Sequence, residues 1–367
     1  MTLRPVYITA AARSPVAPRG GALATLELHE LAAPVIRAAV ERAGLRVDQV
    51  DELIAANAIG GGGNPARVAA LAAGLPLSVA GLSIDRQCVG GLDAIALGHA
   101  MIAAGQADVV IAGGVESYSR RPLRLRTFAD GRGPEAYDQP PFAPWPDRDP
   151  DMTAAAADMA RDTGITRAEQ DDFAIRSHAR ARTANHPEIV PLVGLNRDAF
   201  TRDLTPKLTA RAPILAGDIT TATTAVAADG AAFVTLSATR PIAPHLVMLG
   251  AATVGAAPET PTLSPLPAIA RVMAQTGLTP DALTHIEMME AYAAQAIACI
   301  RGANLPLDRV NTGGGALARG HPIGASGAIL ATRLFSDLIH AGDGATGLAA
   351  IAAAGGLGSA MILRAQV

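Results

Sequence analysis

Two residues of this chain have types and settings that suit nucleophilic catalysis. Cys88 follows Asp85-Arg86-Gln87 and precedes a predicted helix, whose N-terminus would favour the thiolate. His321 stands between Gly320 and Pro322 at the head of another predicted helix, where a fixed backbone would direct its ring outward, as a base beside a thiol requires. A lone cysteine is more often a small buried residue, and it is this histidine that favours a catalytic role.

The second cysteine and the other histidines indicate no further catalytic or metal site. Cys299 is too far from Cys88 in sequence to suggest a disulfide framework or a metal site, so a reducing, cytoplasmic environment is expected. On a predicted helix after Glu290, Cys299 is interpreted as a packed core thiol. No metal site is predicted, because no ligand partners occur at metal spacing beside the histidines at 29, 99, 178 and 285.

Strands and helices alternate around these residues. The pattern predicts strands at 6–10, 50–59, 81–85, 107–112, 247–254 and 285–288, and helices at 23–43, 266–275 and 290–301. Thr166 and Glu169 have the spacing of a capping box that would start a helix running to about Ala184. This alternation predicts an α/β layered architecture with a largely parallel sheet.

Residues 85–117 and 319–359 look alike. Each contains a loop with Cys88 or His321, then glycines, a helix of small residues, an apolar strand and a Gly-Gly pair. If the two segments pack about a pseudo-twofold axis, Cys88 and His321 would converge on one cleft.

Composition excludes several classes of function. The chain has 367 residues, half of them hydrophobic, which predicts two or three packed units with a large core. A net charge of -3 and 3% aromatic residues do not suit nucleic-acid binding. The uncharged run 347–363, which is interpreted as buried strand, turn and strand, is shorter than the ~20 residues that span a bilayer, so no membrane partner is expected.

Four spaced motifs resemble those of the thiolases, the acyl-CoA C-acetyltransferases. They are Arg86-Gln87-Cys88-Val89-Gly90-Gly91-Leu92, Gly113-Gly114-Val115-Glu116-Ser117, Glu290-Ala291-Tyr292-Ala293-Ala294-Gln295 and Gly314-Gly315-Ala316-Leu317-Ala318-Arg319-Gly320-His321-Pro322. Four motifs in the right order, spread over nearly the whole chain, are a specific signal.

The resemblance implies a five-layered αβαβα fold of two similar halves with an inserted loop domain. The expected N-terminal half is 1–118 with 240–246, the inserted domain that holds coenzyme A is 119–239, and the C-terminal half is 247–367. A homodimer or homotetramer is expected by resemblance alone. Arginines crowded between Arg120 and Arg132 could contact the phosphates of coenzyme A or form a solvated face.

The resemblance also implies roles for residues of the site. Cys88 would attack an acyl-CoA thioester and His321 would take its proton, while the N–H groups of Cys88 and Ala354 would bind the oxyanion. Tyr292 and Gly320 would lie at the substrate. Coenzyme A is then a substrate and product, and no permanently bound cofactor is expected.

Three positions depart from the family pattern. Ala352 stands where a second cysteine acts as acid and base, Met289 replaces an asparagine that orders an oxyanion-site water, and Ala225 replaces a serine that faces the pantetheine arm. Because acid/base assistance contributes roughly 10²- to 10⁴-fold, Claisen condensation and thiolysis should be severely slowed.

Three functions remain open at this point. The first is acyl transfer through an acyl-cysteine, as in an acetyltransferase of fatty acid metabolism. In the second, loss of the base has redirected the site to decarboxylative condensation, a retro-aldol reaction or acyl transfer to another nucleophile. The third is a non-catalytic subunit that binds coenzyme A beside a catalytic protein.

Overall fold

The computed structural model of the chain describes residues 3–367. Its strands are β1 Tyr7–Arg13, β2 Ala17–Pro18, β3 Glu52–Ala56, β4 Leu82–Ile84, β5 Val109–Ser117, β6 Arg124–Arg126, β7 Glu135–Tyr137, β8 Ile214–Ala216, β9 Ile219–Thr220, β10 Ala228–Ser237, β11 His245–Gly255, β12 His285–Met288, β13 Thr346–Ala353 and β14 Leu357–Gln366. Its helices are α1 Leu28–Arg42, α2 Pro65–Ala72, α3 Gly90–Ala103, α4 Met152–Asp162, α5 Arg167–Thr183, α6 Pro206–Thr209, α7 Pro265–Thr276, α8 Ala293–Gly302, α9 Ala316–Arg319 and α10 Ile323–Ala341.

The main sheet consists of two similar halves. In one half the strand order is β4-β3-β5-β10-β1, and in the other it is β12-β13-β14-β11, with β1 and β11 meeting at the pair Ile8 and Leu246. Each half has a parallel pair followed by antiparallel pairs: β3 with β5 and then β10, and β12 with β13 and then β14. The predicted duplication is therefore visible in the strand pairing. The predicted largely parallel sheet is wrong, because the long strands β10 and β14 run antiparallel to both neighbours.

Helices separate and cover the two halves of the sheet to give five layers. The central layer is α3 and α10, which contact each other and the strands of both halves, and α1 with α2 and α7 with α8 lie on the outer faces. Small residues allow the close approach of the central pair: a Cβ built on Gly91 would lie 2.4 Å from the backbone nitrogen of Ala328. This contact brings the N-terminal ends of α3 and α10 together, where the loops with Cys88 and His321 begin.

The inserted region packs over one end of these layers. Its two-stranded pairs β6-β7 and β8-β9 stand apart from the main sheet, and its helices α4 and α5 contact α8 and α9. Thr166 and Glu169 form the predicted capping box at the start of α5. The predicted boundary at 239 differs from the structure, since Ala228–Ser237 is β10, a fully buried strand between β1 and β5. Hydrogen bonding in the sheet therefore places this strand with the N-terminal half.

A buried ion network fixes the inserted region to that half. Glu188 accepts hydrogen bonds from Arg13 at 3.0 Å and from Arg333 at 3.0 Å, and Arg13 also pairs with Asp198 at 2.7 Å. Glu188, Arg13 and Arg333 are all at most 2% exposed. These ion pairs therefore connect the inserted region to β1, which carries Arg13, and to α10, which carries Arg333.

Candidate active site

Cys88 and His321 come together at the ends of the two central helices. The Nε2 atom of His321 lies 3.2 Å from the Sγ atom of Cys88, although the residues are 233 positions apart. The predicted convergence of the two loops is thus present in the structure. A thiol and an imidazole at this distance can exchange a proton directly.

The backbone before Cys88 has an unusual conformation. Cys88 lies on a single 3₁₀ turn, Gln87–Val89, that leads into α3. Gln87 has a φ of 50°, and the carboxylate of Asp85 accepts a hydrogen bond from its N–H at 2.9 Å. A left-handed residue other than glycine is uncommon and marks a turn that the surroundings impose. This turn positions the sulfur toward the helix that follows His321.

Gly320 and a main-chain contact position His321. Gly320 has a φ of 111°, and a Cβ built on it would lie 2.8 Å from the Cβ of Ala228, so the position requires glycine. The N–H of His321 donates to the carbonyl of Val226 at 2.8 Å. The histidine is therefore anchored to the segment just before β10.

Ser326 fixes the proton position on the imidazole. Its Oγ lies 2.9 Å from the carbonyl of Pro322, which can only accept, and 2.7 Å from Nδ1 of His321. A hydroxyl donates a single proton, and when Ser326 donates it to Pro322, Nδ1 carries a proton that it donates to Ser326. Nε2 then presents its lone pair to the Cys88 thiol, which is the tautomer a general base needs. Ser326 lies five residues after His321 in sequence, and sequence reasoning assigned it no role.

Burial keeps both partners neutral at rest. Desolvation raises the pKa of Cys88 to about 12, more than its own backbone N–H lowers it, and the charges of Glu116 and Asp85 raise it further. Desolvation also lowers the pKa of His321 to about 4. The enclosure of the sulfur thus opposes the helix N-terminus, which is expected to favour the thiolate. The proton must leave the thiol for Nε2 as the sulfur attacks.

Glu116, at the end of β5, supports the loops of the site from behind. Its carboxylate accepts N–H groups from Ala58 at 2.9 Å, Ile59 at 3.3 Å and Gly324 at 2.9 Å. Burial raises its pKa to about 7 against these hydrogen bonds. Glu116 thus joins the loop after β3 to the first turn of α10, three residues beyond His321.

The side chains at the three positions expected to depart from the family pattern, here called the apolar wall, are all apolar. Met289, only 1% exposed, belongs to the central core, and Ala225 and Cys88 pack against that same cluster. Ala352 is 6% exposed on β13, the strand that packs against the turn of Cys88. Ala354 begins the Gly-Gly turn after β13, and a Cβ built on the next residue, Gly355, would lie 3.0 Å from the carbonyl oxygen of Phe142 in the inserted region. None of these side chains can exchange a proton.

A charge on Cys88 would affect two tyrosines, Tyr118 and Tyr292. The hydroxyl of Tyr292 lies 3.1 Å from that of Thr153 on α4. Burial raises the pKa of Tyr118 and of Tyr292, and a negative charge on Cys88 would raise both further. Both hydroxyls therefore stay protonated, so they can donate but not remove a proton.

Cys299 does not belong to this site. It is fully buried on α8 in the core that covers the outer face of the second half. Its Sγ lies 3.4 Å from the carbonyl of Thr262, and Nε2 of Gln295 donates to it at 3.6 Å. Desolvation raises its pKa to about 12, which leaves an inert core thiol.

Surface partners engage most of the arginines that were expected near phosphates. Arg120 pairs with Glu27, Arg121 with Asp138 and Arg132 with Asp130.

Within the range 3–367, no helix is both long enough and apolar enough to cross a bilayer.

An α/β protein of two similar halves, with a cysteine and a histidine meeting between them, matches one known family over nearly its whole length. The model of the "Thiolase, N-terminal domain" matches residues 6–239, and that of the "Thiolase, C-terminal domain" matches residues 242–365. The chain therefore belongs to the thiolase family.

Individual relatives agree with this assignment. The chain is 38% identical over 350 residues to "Putative acetyl-CoA C-acetyltransferase YhfS" of Bacillus subtilis (strain 168), covering 91% of this chain and 92% of that protein. It is 35% identical over 375 residues to "Putative acetyl-CoA C-acetyltransferase VraB" of Staphylococcus aureus (strain MRSA252), covering 97% and 98%. The crystal structure of the Bacillus anthracis acetyl-CoA acetyltransferase superimposes with a TM-score of 0.90 at 32% identity and covers 100% of both chains.

Proposed function

We propose that this protein is an acyltransferase that takes an acyl group from an acyl-CoA and holds it as a thioester on Cys88. The observation that carries the proposal is the 3.2 Å contact between Sγ of Cys88 and Nε2 of His321. The names of the relatives, all acetyl-CoA C-acetyltransferases, support acetyl-CoA as a donor.

The first half-reaction needs only residues that the site contains. Sγ attacks the thioester carbonyl while its proton passes to Nε2 of His321. The carbon–sulfur bond to coenzyme A then breaks, and the leaving thiolate takes that proton, so free coenzyme A departs and acyl-Cys88 remains. The N–H groups of Cys88 and Ala354 are the proposed donors to the oxyanion. Met289, Tyr292 and Gly320 would border the acyl group, with Ala225 on the pantetheine side.

The second half-reaction should differ from that of an ordinary thiolase. Removal of an α-proton requires a base, and Ala352, Met289 and Ala225 supply none. The apolar wall favours a second candidate function, in which the acyl-enzyme reacts without that step. A malonyl-type donor generates its carbanion by loss of carbon dioxide. A retro-aldol step or a non-carbon nucleophile also needs no α-proton transfer.

Intact-mass spectrometry tests the acyl-enzyme. The protein is incubated with acetyl-CoA and with longer acyl-CoAs, and the mass of one acyl group is expected on the wild type and not on Cys88→Ala. If no adduct forms at any chain length, the third function, a non-catalytic subunit that binds coenzyme A, takes its place.

A second substrate then separates the two enzymatic functions. Acetyl-CoA and malonyl-CoA are offered in turn to the preformed acyl-enzyme. Condensation with malonyl-CoA alone supports the redirected site, whereas equal condensation with acetyl-CoA supports an ordinary thiolase. We also propose a homodimer or homotetramer in the cytoplasm, which light scattering and cell fractionation would test.

A further inference from the structure

A cavity lined by arginine and tyrosine lies beside the candidate active site. Its volume is about 210 Å³, and its lining includes Arg19, Arg121, Arg124, Tyr118 and Asp138. Pro122, Leu123, Ala136 and Tyr137 supply most of the remaining surface. The cavity thus combines apolar walls with three guanidinium groups and a single carboxylate.

Two connections join this cavity to the catalytic pair. Tyr118 forms part of its wall and directly follows β5, the strand that carries Glu116, and a negative charge on Cys88 would raise the pKa of its hydroxyl. On the opposite side, Arg124 donates to the carbonyl of Ala58 at 3.3 Å, and the N–H of Ala58 donates to Glu116. Glu116 in turn holds Gly324, three residues beyond His321. Hydrogen bonds therefore link the wall of the cavity to the first turn of the helix that follows His321.

The positive charge of the cavity is only weakly compensated. Arg124 donates to the carbonyl oxygens of Asp138 and Ala58, at 3.4 and 3.3 Å, and pairs with no carboxylate among residues 3–367. Arg121 does pair with Asp138 at 2.9 Å, but the side chain of Asp138 is 87% exposed and can turn into solvent. Guanidinium groups in such a setting bind a carboxylate through paired hydrogen bonds.

We propose that this cavity receives the far end of the acyl chain, and that the preferred acyl group ends in a carboxylate. The inference rests on the proposed acyl-enzyme at Cys88 and adds the substrate class. The chain would pass Tyr118, its methylenes against Pro122 and Leu123, and its carboxylate would meet Arg121 and Arg124. A neutral chain of equal length would leave these guanidinium groups without a partner.

Matched thioesters test the proposal. Rates of acylation at Cys88 are compared for glutaryl-CoA and valeryl-CoA, adipyl-CoA and hexanoyl-CoA, and suberyl-CoA and octanoyl-CoA. At the best length, the carboxylate-ended member should react at least about tenfold faster, the effect of one charge-assisted hydrogen bond. In the double variant Arg121→Gln/Arg124→Gln this ratio should approach one. It should persist in Arg46→Gln, which removes an arginine whose side chain is 74% exposed and pairs with Asp48.

The phosphates of coenzyme A are the other anions that could occupy the cavity. The same acyl groups are therefore also offered as pantetheine thioesters, which have no phosphate. The proposal requires that the preference for a carboxylate persists there. It is overturned if the wild type shows no preference, or if the double variant slows every coenzyme A thioester equally and leaves the pantetheine thioesters unchanged.

Two further measurements keep the test independent of folding and of the proposed function. If the double variant does not fold, the wild-type preference should still fall as salt is raised, because salt screens an ion pair at a partly exposed site. If no thioester acylates Cys88, the proposed function fails, and calorimetry with Cys88→Ala then measures the affinities for glutaryl-CoA and valeryl-CoA. Equal affinities would overturn the cavity proposal as well.

Discussion

Replacing Ser326 by alanine should slow acylation of Cys88 without unfolding the protein. The Oγ of Ser326, 2.7 Å from Nδ1, is the acceptor that keeps the proton on that nitrogen and the lone pair on Nε2. Without it, the two tautomers of His321 compete, and only one can accept the proton of Cys88. The lost hydrogen bond corresponds to about 1 kcal/mol, which lowers the rate constant about fivefold.

Single-turnover kinetics measures this effect. The enzyme is mixed with saturating acyl-CoA, and acyl-Cys88 is followed by mass spectrometry after quenching, so that the rate constant is separated from binding. Ser336→Ala is the matched control, because Ser336 lies on the same helix and its Oγ donates only to the carbonyl of Thr332, at 3.5 Å. Ser326→Thr retains the hydroxyl and should recover the rate if the extra methyl group fits.

An unchanged rate constant in Ser326→Ala would refute the tautomer argument. A purely structural role for Ser326 would instead lower the melting temperature and weaken binding while the rate constant of bound enzyme remained normal.

Three further predictions concern pH, the lost base and the ion network. The pKa of His321 is lowered to about 4 and that of Cys88 is raised to about 12, so neither residue changes its protonation state between these values. The rate constant of acylation should therefore stay constant from about pH 6 to 9. A tenfold rise in the rate constant per pH unit would indicate a free thiolate nucleophile. Ala352→Cys should raise thiolysis of a ketoacyl-CoA by up to about 10²-fold, measured as acetyl-CoA release, and no gain would mean that Met289 and Ala225 also block it. Glu188→Gln leaves buried Arg13 and Arg333 without their shared carboxylate. The free energy of unfolding, measured by urea titration, should therefore fall by about 3–5 kcal/mol. A loss below about 1 kcal/mol would contradict a stabilising role for this ion network.

The pH argument also has a consequence for stability. In the unfolded chain His321 would titrate near its usual pKa of 6.5, whereas in the folded protein the pKa is about 4. The unfolded state therefore binds the proton first, and stability should fall as the pH drops from about 6.5 toward 4. Urea unfolding of the wild type and of His321→Asn at pH 7 and pH 5 measures this contribution as the difference between their pH dependences.

Local patterns in the sequence predicted the features that depend on neighbouring residues. The capping box at Thr166 is such a feature, because its two hydrogen bonds join residues three apart. The strand, turn and strand that end the chain, β13 and β14, also follow from an apolar run broken by Gly355 and Gly356. The meeting of Cys88 and His321 was expected from the similarity of two segments rather than from either residue alone.

Features that depend on contacts between residues far apart in sequence could not be predicted from local patterns. Nothing within Ala228–Ser237 distinguishes a parallel from an antiparallel strand, and its direction is fixed only by β1 and β5. The helix N-terminus beside Cys88 is visible in sequence, whereas the enclosure that raises the pKa of the thiol is created by the fold. Glu116 lies in a quoted motif and Ser326 lies shortly after another, but their partners in the site become clear only in three dimensions.

The two cysteines of the chain allow the most direct test of the central claim. After brief incubation with acetyl-CoA, peptide mapping by tandem mass spectrometry locates the acetyl group on Cys88 or Cys299. Because Sγ of Cys88 faces His321 at 3.2 Å and Cys299 is fully buried in the outer core, we expect acetylation of Cys88 alone, and its loss in His321→Asn. An acetyl group on Cys299, or undiminished acetylation of Cys88 without the histidine, would contradict a thiol activated by this imidazole.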